Sequence, residues 1–359
     1  MKDSVIYQVR WRVYPRLDLV QMSSFLSGLV ALSNRGRITL SFEYSDRDFD
    51  SYMAMELLVT RVKDGSTCKV VCEFHDDADK IYPSALEFAD RYFKRQFDSD
   101  TRVAASRLAT AKIEPLGLVT VGFPWSTWRP VFAGVRAALR TRGARRAHSG
   151  ARGATRYATR HLRNWLLVPA PDSALRREGD HKSAGVVCQP RLWSTEPGSG
   201  DVFDVANEDR IALVRILSRA FPAVSTIGLV RNKTAQTMAA DLMLNRQVRT
   251  REHHRQLRTS TVAVNCLGLD GSVGWKLAEY FAAGCAVVSP PITKEFLAPV
   301  EPDVHYLSYA SPEQCVEQCR RLLGDPDLTR KMGQANRAYF DSWIDPAAQV
   351  GAVLERAFQ

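Results

Sequence analysis

The chain has 359 residues, of which 45% are hydrophobic and 25% charged. That composition excludes a disordered chain, and the length exceeds one ordinary core, so two domains are expected. No apolar run approaches the roughly 20 residues that cross a bilayer, and a net charge of +10 favours anionic partners: nucleic acid, phospholipid head groups or phosphorylated substrates.

The first third alternates strand and helix signals. Val5–Trp11, Arg37–Ser45, Met55–Val62 and Thr67–Phe74 read as strands. Ser23 or Ser24 is expected to cap a helix that runs from Phe25 and that Gly36 ends. Asp79–Gln96 reads as helical around Leu86, Phe88, Ala89, Tyr92 and Phe93, and Ile113–Pro124 as a short strand with loop ends. The alternation predicts a mostly parallel sheet covered on both faces, in an α/β domain over residues 1–125.

The composition then changes. Ten arginines and no Asp or Glu lie from Arg129 to Arg163. Residues 126–180 are expected to form a basic connector of helix and loop. It suits a solvated linker, or an electropositive face for an anionic membrane or a phosphate-bearing acceptor. Aromatics for base stacking are sparse there, chiefly Tyr157 and Trp165, which argues against a nucleic-acid platform.

The second half is more regular. Val186–Trp193 reads as a strand, and Asn207–Phe221 as an amphipathic helix with Ile211, Val214 and Leu217 on one face. A strand at Val224–Val230 follows, then helical segments at Thr234–Leu244 and Arg251–Ser260. Thr261–Leu269 reads as a strand, Gly274–Gly284 as a helix and Cys285–Ile292 as a strand. Val304–Ala310, Ser311–Asp325 and a final helical run close the chain. This pattern predicts a doubly wound domain over residues 181–340, with residues 341–359 as a helix returning to the first domain.

Seven cysteines, mostly inside apolar runs, read as reduced core thiols. His253 and His254 sit on a polar helix and read as surface residues, and no spacing suits a metal site. The start of the chain carries charges throughout, unlike a signal peptide, so a cytoplasmic protein is expected. No GxSxG, HExxH or Walker pattern occurs, which argues against the common hydrolase and NTPase classes.

The segment Asp270–Gly284 carries the most chemistry. Gly271 and Gly274 let backbone approach a ligand with no Cβ in the way. Ser272 is a candidate N-cap, and the helix start offers N–H groups and the positive dipole end to a phosphate. The loop follows a strand, where open α/β sheets bind ligands. Lys276 and Glu279 lie three apart and share a helix face. That spacing suits a surface ion pair. It equally suits a nucleotide-sugar site, with Lys276 neutralising phosphate and Glu279 accepting bonds from vicinal hydroxyls. Arg191, closing the first strand of this half, is a further candidate for diphosphate contact through its planar fork. Arg231 and Lys233 follow the next strand.

Gly274–Ser289 resembles the donor-site helix and following strand of GT-B glycosyltransferases, in particular the bacterial family-1-like (group 1) enzymes. The matching positions are Glu279, Ala282, Gly284 and Val287-Val288-Ser289. Cys188–Trp193 with Asn207–Leu217 resembles the opening strand and helix of their donor domain. Asp76–Phe97 and Ile113–Leu118 resemble parts of the N-terminal domain, and Leu322–Phe340 the helical tail. The resemblance implies an α/β fold of two Rossmann-like domains facing a cleft. It also implies metal-independent glycosyl transfer, without a cofactor, from a nucleotide-sugar donor to a glycan, a lipid-linked sugar or a small molecule. Many retaining members carry a second Glu eight residues before the helix Glu. That position here is Gly271, with Asp270 beside it, so retaining or inverting chemistry stays open, as does a substituting role for Asp270.

In such an enzyme the acceptor's general base comes from the N-terminal domain. Asp76 and Asp79, after the fourth strand, are the candidates; a polar loop capping the next helix is the other account of them. Lys94 and Arg95 suit a cleft-facing position or an exposed helix end. Two other classes stay open: a nucleic-acid-binding or -modifying protein, from the basic stretch, and a catalytically silent GT-B scaffold, from Gly271.

Overall fold

A computed structural model describes residues 5–13, 20–44, 53–101, 113–122, 175, 183–194, 201–222 and 226–359. The expected connector, including Arg129–Arg163, lies outside the described residues apart from Leu175. The chain divides into two compact units, one of residues 1–170, 295–298 and 342–359, the other of residues 171–294 and 299–341.

The first unit opens with β1 (Tyr7–Val13), α1 (Ser23–Asn34), β2 (Ile38–Tyr44), β3 (Ala54–Arg61) and β4 (Thr67–Glu73). It continues with α2 (Pro83–Phe88), β5 (Arg91–Lys94) and β6 (Ile113–Pro115). Neither serine caps α1: Met22 holds the N-cap position, and Ser23 Oγ donates to the Val20 carbonyl at 2.7 Å. Gly36, at φ 72°, follows the helix end.

The strands form one sheet in the order β2-β1-β3-β4-β5-β6. The expected mostly parallel sheet is mixed instead, because β3 runs antiparallel to both β1 and β4. No helix separates β3 from β4. A tight connection turns the chain back, with Gly65 at φ 71° and the Arg61 N–H donating to the Ser66 carbonyl at 2.9 Å. An antiparallel neighbour is what so short a link permits.

The expected long helix over 79–96 is also corrected. Only Pro83–Phe88 is helical, and Ala89 is already extended at ψ 135°. Asp90 then exchanges two bonds with the Lys69 backbone, its N–H donating to the carbonyl and its carboxylate accepting from the N–H, both at 2.8 Å. That anchors β5 parallel to β4. Tyr92 and Phe93 bury as residues of an interior strand, a pattern that short apolar runs share with helices.

The second unit contains β7 (Ser183–Cys188), α3 (Asp201–Ala220), β8 (Thr226–Ile227), α4 (Lys233–Met238), α5 (Thr250–Thr259) and β9 (Ser260–Val264). It continues with α6 (Trp275–Ala282), β10 (Ala286–Ser289), β11 (Leu307–Ser308), α7 (Pro312–Gly324) and α8 (Pro326–Tyr339). The sheet order is β11-β10-β9-β7-β8, with every pairing parallel. After β8 the chain crosses back and adds β9 on the other side of β7. The reversal of strand addition therefore falls between β7 and β9, where doubly wound sheets open a crevice at their carboxyl ends.

The last helix, α9 (Pro346–Arg356), packs in the first unit against α1. Gly28 makes this approach possible: a Cβ there would lie 1.9 Å from the Pro346 carbonyl oxygen. Gln349 Nε2 donates to the Leu118 carbonyl at 2.7 Å and Arg356 to the Leu297 carbonyl at 2.6 Å. Among the described residues no helix is long and apolar enough to cross a membrane.

Candidate functional site

Several polar groups gather at the exits of β7 and β9. Gln189 leaves β7, and Asn265, Cys266, Leu267 and Gly268 leave β9. The chain then turns through residues 269–274 into α6. Asp270 and Gly271 are both left-handed, at φ 52° and 66°. Aspartate tolerates that region and glycine adopts it freely. The turn closes with the Gly268 N–H donating to the Ser272 carbonyl at 2.7 Å and the Ser272 N–H to the Leu269 carbonyl at 2.9 Å.

Ser272 is buried and does not cap the helix. Gly274 holds the N-cap position, with no side-chain bond to the first turn. The close approach is made by Gly268, where a Cβ would lie 2.2 Å from Ser272 Oγ. Nothing in the fold itself requires glycine at Gly274, whose Cβ would meet no atom within 4 Å.

Lys276 and Glu279 form no ion pair with each other. Lys276 Nζ reaches across to donate to the Gln189 carbonyl at the end of β7. Burial lowers the lysine's pKa, while nearby Cys266 and Glu279 oppose that shift. Glu279 turns instead to α5. His254 Nε2 lies 3.4 Å from Oε1 and His253 Nε2 3.4 Å from Oε2. The two histidines are therefore not surface residues; His254 is 1% exposed. Burial pushes Glu279 up, and the neighbouring His253 and His254 outweigh it, holding the carboxyl down to about 2.

Arg191 is exposed, and its carbonyl accepts from Arg210 Nη1 at 2.7 Å. Arg210, which the sequence analysis did not single out, is buried and also donates to the Leu267 carbonyl at 2.7 Å. It thus ties the exits of β7 and β9 together. A signal existed: Asn207 and Arg210 continue the stripe of Val214 and Leu217 at helical spacing. Asn207 clamps the Trp193 backbone from the same face, at 2.8 and 3.1 Å. Arg210 lines a cavity of about 420 Å³ with Cys266, Gly268, Gly271, Pro290 and Tyr309. Among the described residues, no three His, Cys, Asp or Glu side chains are arranged to hold a metal.

In the first unit the loop after β4 is held from beneath. Glu73 and Lys94 are both fully buried and pair at 2.6 Å. Lys94 also donates to the carbonyls of Asp77 and Lys80 at 2.9 and 2.8 Å. Lys94 and Arg95 are thus interior groups rather than an exposed helix end. Arg95 pairs with Asp76 at 2.7 Å. Asp79 is exposed, and its N–H donates to Asp77 Oδ1 at 2.8 Å. None of these acids caps α2, whose N-cap is Tyr82.

Sequence comparison matches residues 201–353 to a family described as glycosyl transferase-like. No curated protein matches the chain. Among solved structures, it is similar to WaaG, a glycosyltransferase involved in lipopolysaccharide biosynthesis. Identity there is 10%, coverage 96% of this chain and 97% of that one, and the TM-score 0.39. A sucrose-phosphate synthase from Thermosynechococcus elongatus is 13% identical, covering 77% of this chain and 60% of that one, with TM-score 0.40. A glycosyltransferase from Rickettsia africae is 13% identical, covering 77% and 64% respectively, with TM-score 0.40.

Proposed function

We propose, for a chain whose residues 201–353 match the family described as glycosyl transferase-like, that it moves a sugar from a nucleotide-sugar donor to a glycan, a lipid-linked sugar or a small molecule. One observation carries the donor site: Lys276 Nζ, the uncapped start of α6 and Gln189 meet at the exits of β7 and β9. Charge develops on the departing diphosphate during transfer. A cation and free helix N–H groups fixed beside it stabilise that charge without reorganising. The turn of Gly271, Ser272 and Gly274 brings the backbone to the phosphates, and Arg191 adds a second cation from the end of β7. Glu279, held ionised, accepts bonds from vicinal hydroxyls. No metal or other cofactor is needed in this scheme.

Asp79 is the better candidate base in the first unit, because the carboxylate of Asp76 is engaged by Arg95. The acceptor's anionic surroundings, a membrane inner face included, would meet the Arg129–Arg163 stretch.

A panel of UDP-, GDP-, ADP-, dTDP- and CMP-sugars, with EDTA present, tests the donor site by thermal shift. At about 100 times the dissociation constant, binding adds about 2.7 kcal/mol, or roughly 2–4 °C. One responding nucleotide class supports the reading, and none overturns it. Lys276→Ala and Glu279→Gln should abolish transfer and keep the fold; full activity in both removes the site assignment. Gly271, glycine where many relatives place a glutamate, favours a second reading as a silent binding subunit. Donor binding with neither transfer nor donor hydrolysis would select it.

A further inference from the structure

Glu279 is nine-tenths buried, and a carboxylate in that position ordinarily takes up a proton. A protonated carboxyl would offer an O–H where sugar hydroxyls need an acceptor. Each of its oxygens, however, meets one imidazole nitrogen from α5, His254 on Oε1 and His253 on Oε2, both at 3.4 Å. The two rings lie 6.3 Å apart and are tilted by 46°, so they approach the carboxylate from two directions. His254 Nε2 is placed to donate to Oε1 and so fixes that edge of the carboxylate, while the His253 ring, whose Nδ1 faces the acceptor Gln189 Oε1, packs beside Oε2 without a hydrogen bond and leaves its lone pairs open.

The network extends to the other donor-site candidate. His253 Nδ1 lies 2.8 Å from Gln189 Oε1, and Gln189 Nε2 donates to Gln256 Oε1 at 2.9 Å. The carbonyl of the same Gln189 accepts from Lys276. His253 and Gln256 are three apart on α5 and share a face. One residue at the exit of β7 therefore links the partner of Lys276 to the partner of Glu279.

We infer that His253 and His254 are positioning residues, which hold the Glu279 carboxylate charged and oriented for the hydroxyls of the bound nucleotide sugar. The inference rests on the donor-site reading of Glu279. The histidines act through the carboxylate and do not touch the reacting atoms. The relevant chemistry is a vicinal diol, as on the ribose or the sugar of the donor.

The test uses the whole chain and calorimetric titration with UDP, GDP and ADP, followed by donor kinetics. For the diphosphate that the unaltered protein binds, His254→Leu should weaken binding about tenfold, the loss of one bond to a charged group. It should raise KM for the donor with little change in kcat. His254→Asn, which restores an N–H donor, should recover most of the affinity. Infrared difference spectra over an acid titration should show the Glu279 protonated-carboxyl band emerging at higher pH in His254→Leu than in the unaltered protein, and no such band in His254→Leu/Glu279→Gln. Where His254→Leu does not fold, His253→Leu, at the more exposed ring, carries the same comparison.

Unchanged affinity in both leucine variants, with binding lost in Glu279→Gln, overturns the inference and leaves the donor site standing. Unchanged affinity in Glu279→Gln, or no binding of any diphosphate by the unaltered protein, overturns the donor-site reading and the inference with it.

Discussion

Replacing Lys94 by methionine keeps most of the side chain's apolar volume and removes its ammonium. Three bonds go with it: to Glu73 Oε2 at 2.6 Å and to the carbonyls of Asp77 and Lys80 at 2.9 and 2.8 Å. Glu73 is then left fully buried without its principal counter-charge. Breaking a buried pair in this way costs about 3–5 kcal/mol, a large part of the 5–15 kcal/mol typical of a native protein. With an urea slope of about 2 kcal/mol/M, the midpoint should fall by about 1.5–2.5 M.

The loss should depend on pH. Burial already raises Glu73 above the usual carboxylate range, although Lys94 opposes it. Without Lys94 it rises further. A raised folded pKa means that the native state binds more protons, so stability falls as pH rises through the window between the unfolded and folded values. The penalty of Lys94→Met should therefore grow as pH rises and shrink as pH falls toward the value of a free carboxylate. Unfolding in urea is followed by the fluorescence of Trp11, which is buried in this unit. Lys94→Met/Glu73→Gln should recover part of the stability at neutral pH, since the amide keeps an acceptor for the His75 N–H. A midpoint within about 0.3 M of the unaltered protein, or a penalty that does not change with pH, would refute the reasoning.

Glu279 should show the opposite pH sign. Its folded pKa, held down to about 2 by the two histidines against burial, means that its stabilisation is present above about 4.5 and is lost as pH falls toward 2. Roughly 3 kcal/mol of acid-dependent stability should disappear in Glu279→Gln, measured by urea unfolding at a series of pH values. Gly28→Ala should drive α9 away from α1 at a cost of about 1–3 kcal/mol; limited proteolysis should then release residues 346–359, and unchanged protection would count against it. Arg210→Met should leave the carbonyls of Arg191 and Leu267 without their guanidinium partners. A loss of about 1–3 kcal/mol is expected by chemical unfolding, and a neutral result would mean that water replaces both bonds.

Much of the candidate site was legible before any coordinates. A glycine-bearing turn at 271–274, a helix from 275 and the strand of Ala286–Ser289 all follow from local rules: glycine's freedom, apolar spacing and β-branched runs. The same rules located β1, β3, β4 and β9, because each alternates or concentrates apolar residues over a strand's length. They also found Lys276 and Glu279 on one helix face. They failed where a local pattern fits two structures equally well. Tyr92 and Phe93 suit a helix or an interior strand, and only pairing with β4 decides between them.

The partners of the polar groups lay wholly beyond such rules. Lys276 looked ready for Glu279 three residues away, yet its ammonium bonds Gln189, 87 residues distant in sequence. His253 and His254 looked like surface residues of a polar helix until α6 placed a carboxylate against them. Lys94 suited a cleft-facing position or an exposed helix end until β4 brought Glu73 beside it. Sequence by itself determined which segments are strands and helices and which of their faces are apolar, because those properties depend on neighbours within a turn or two. Tertiary structure alone decided which charges are buried and what each one meets, because desolvation and pairing depend on elements brought together from far along the chain.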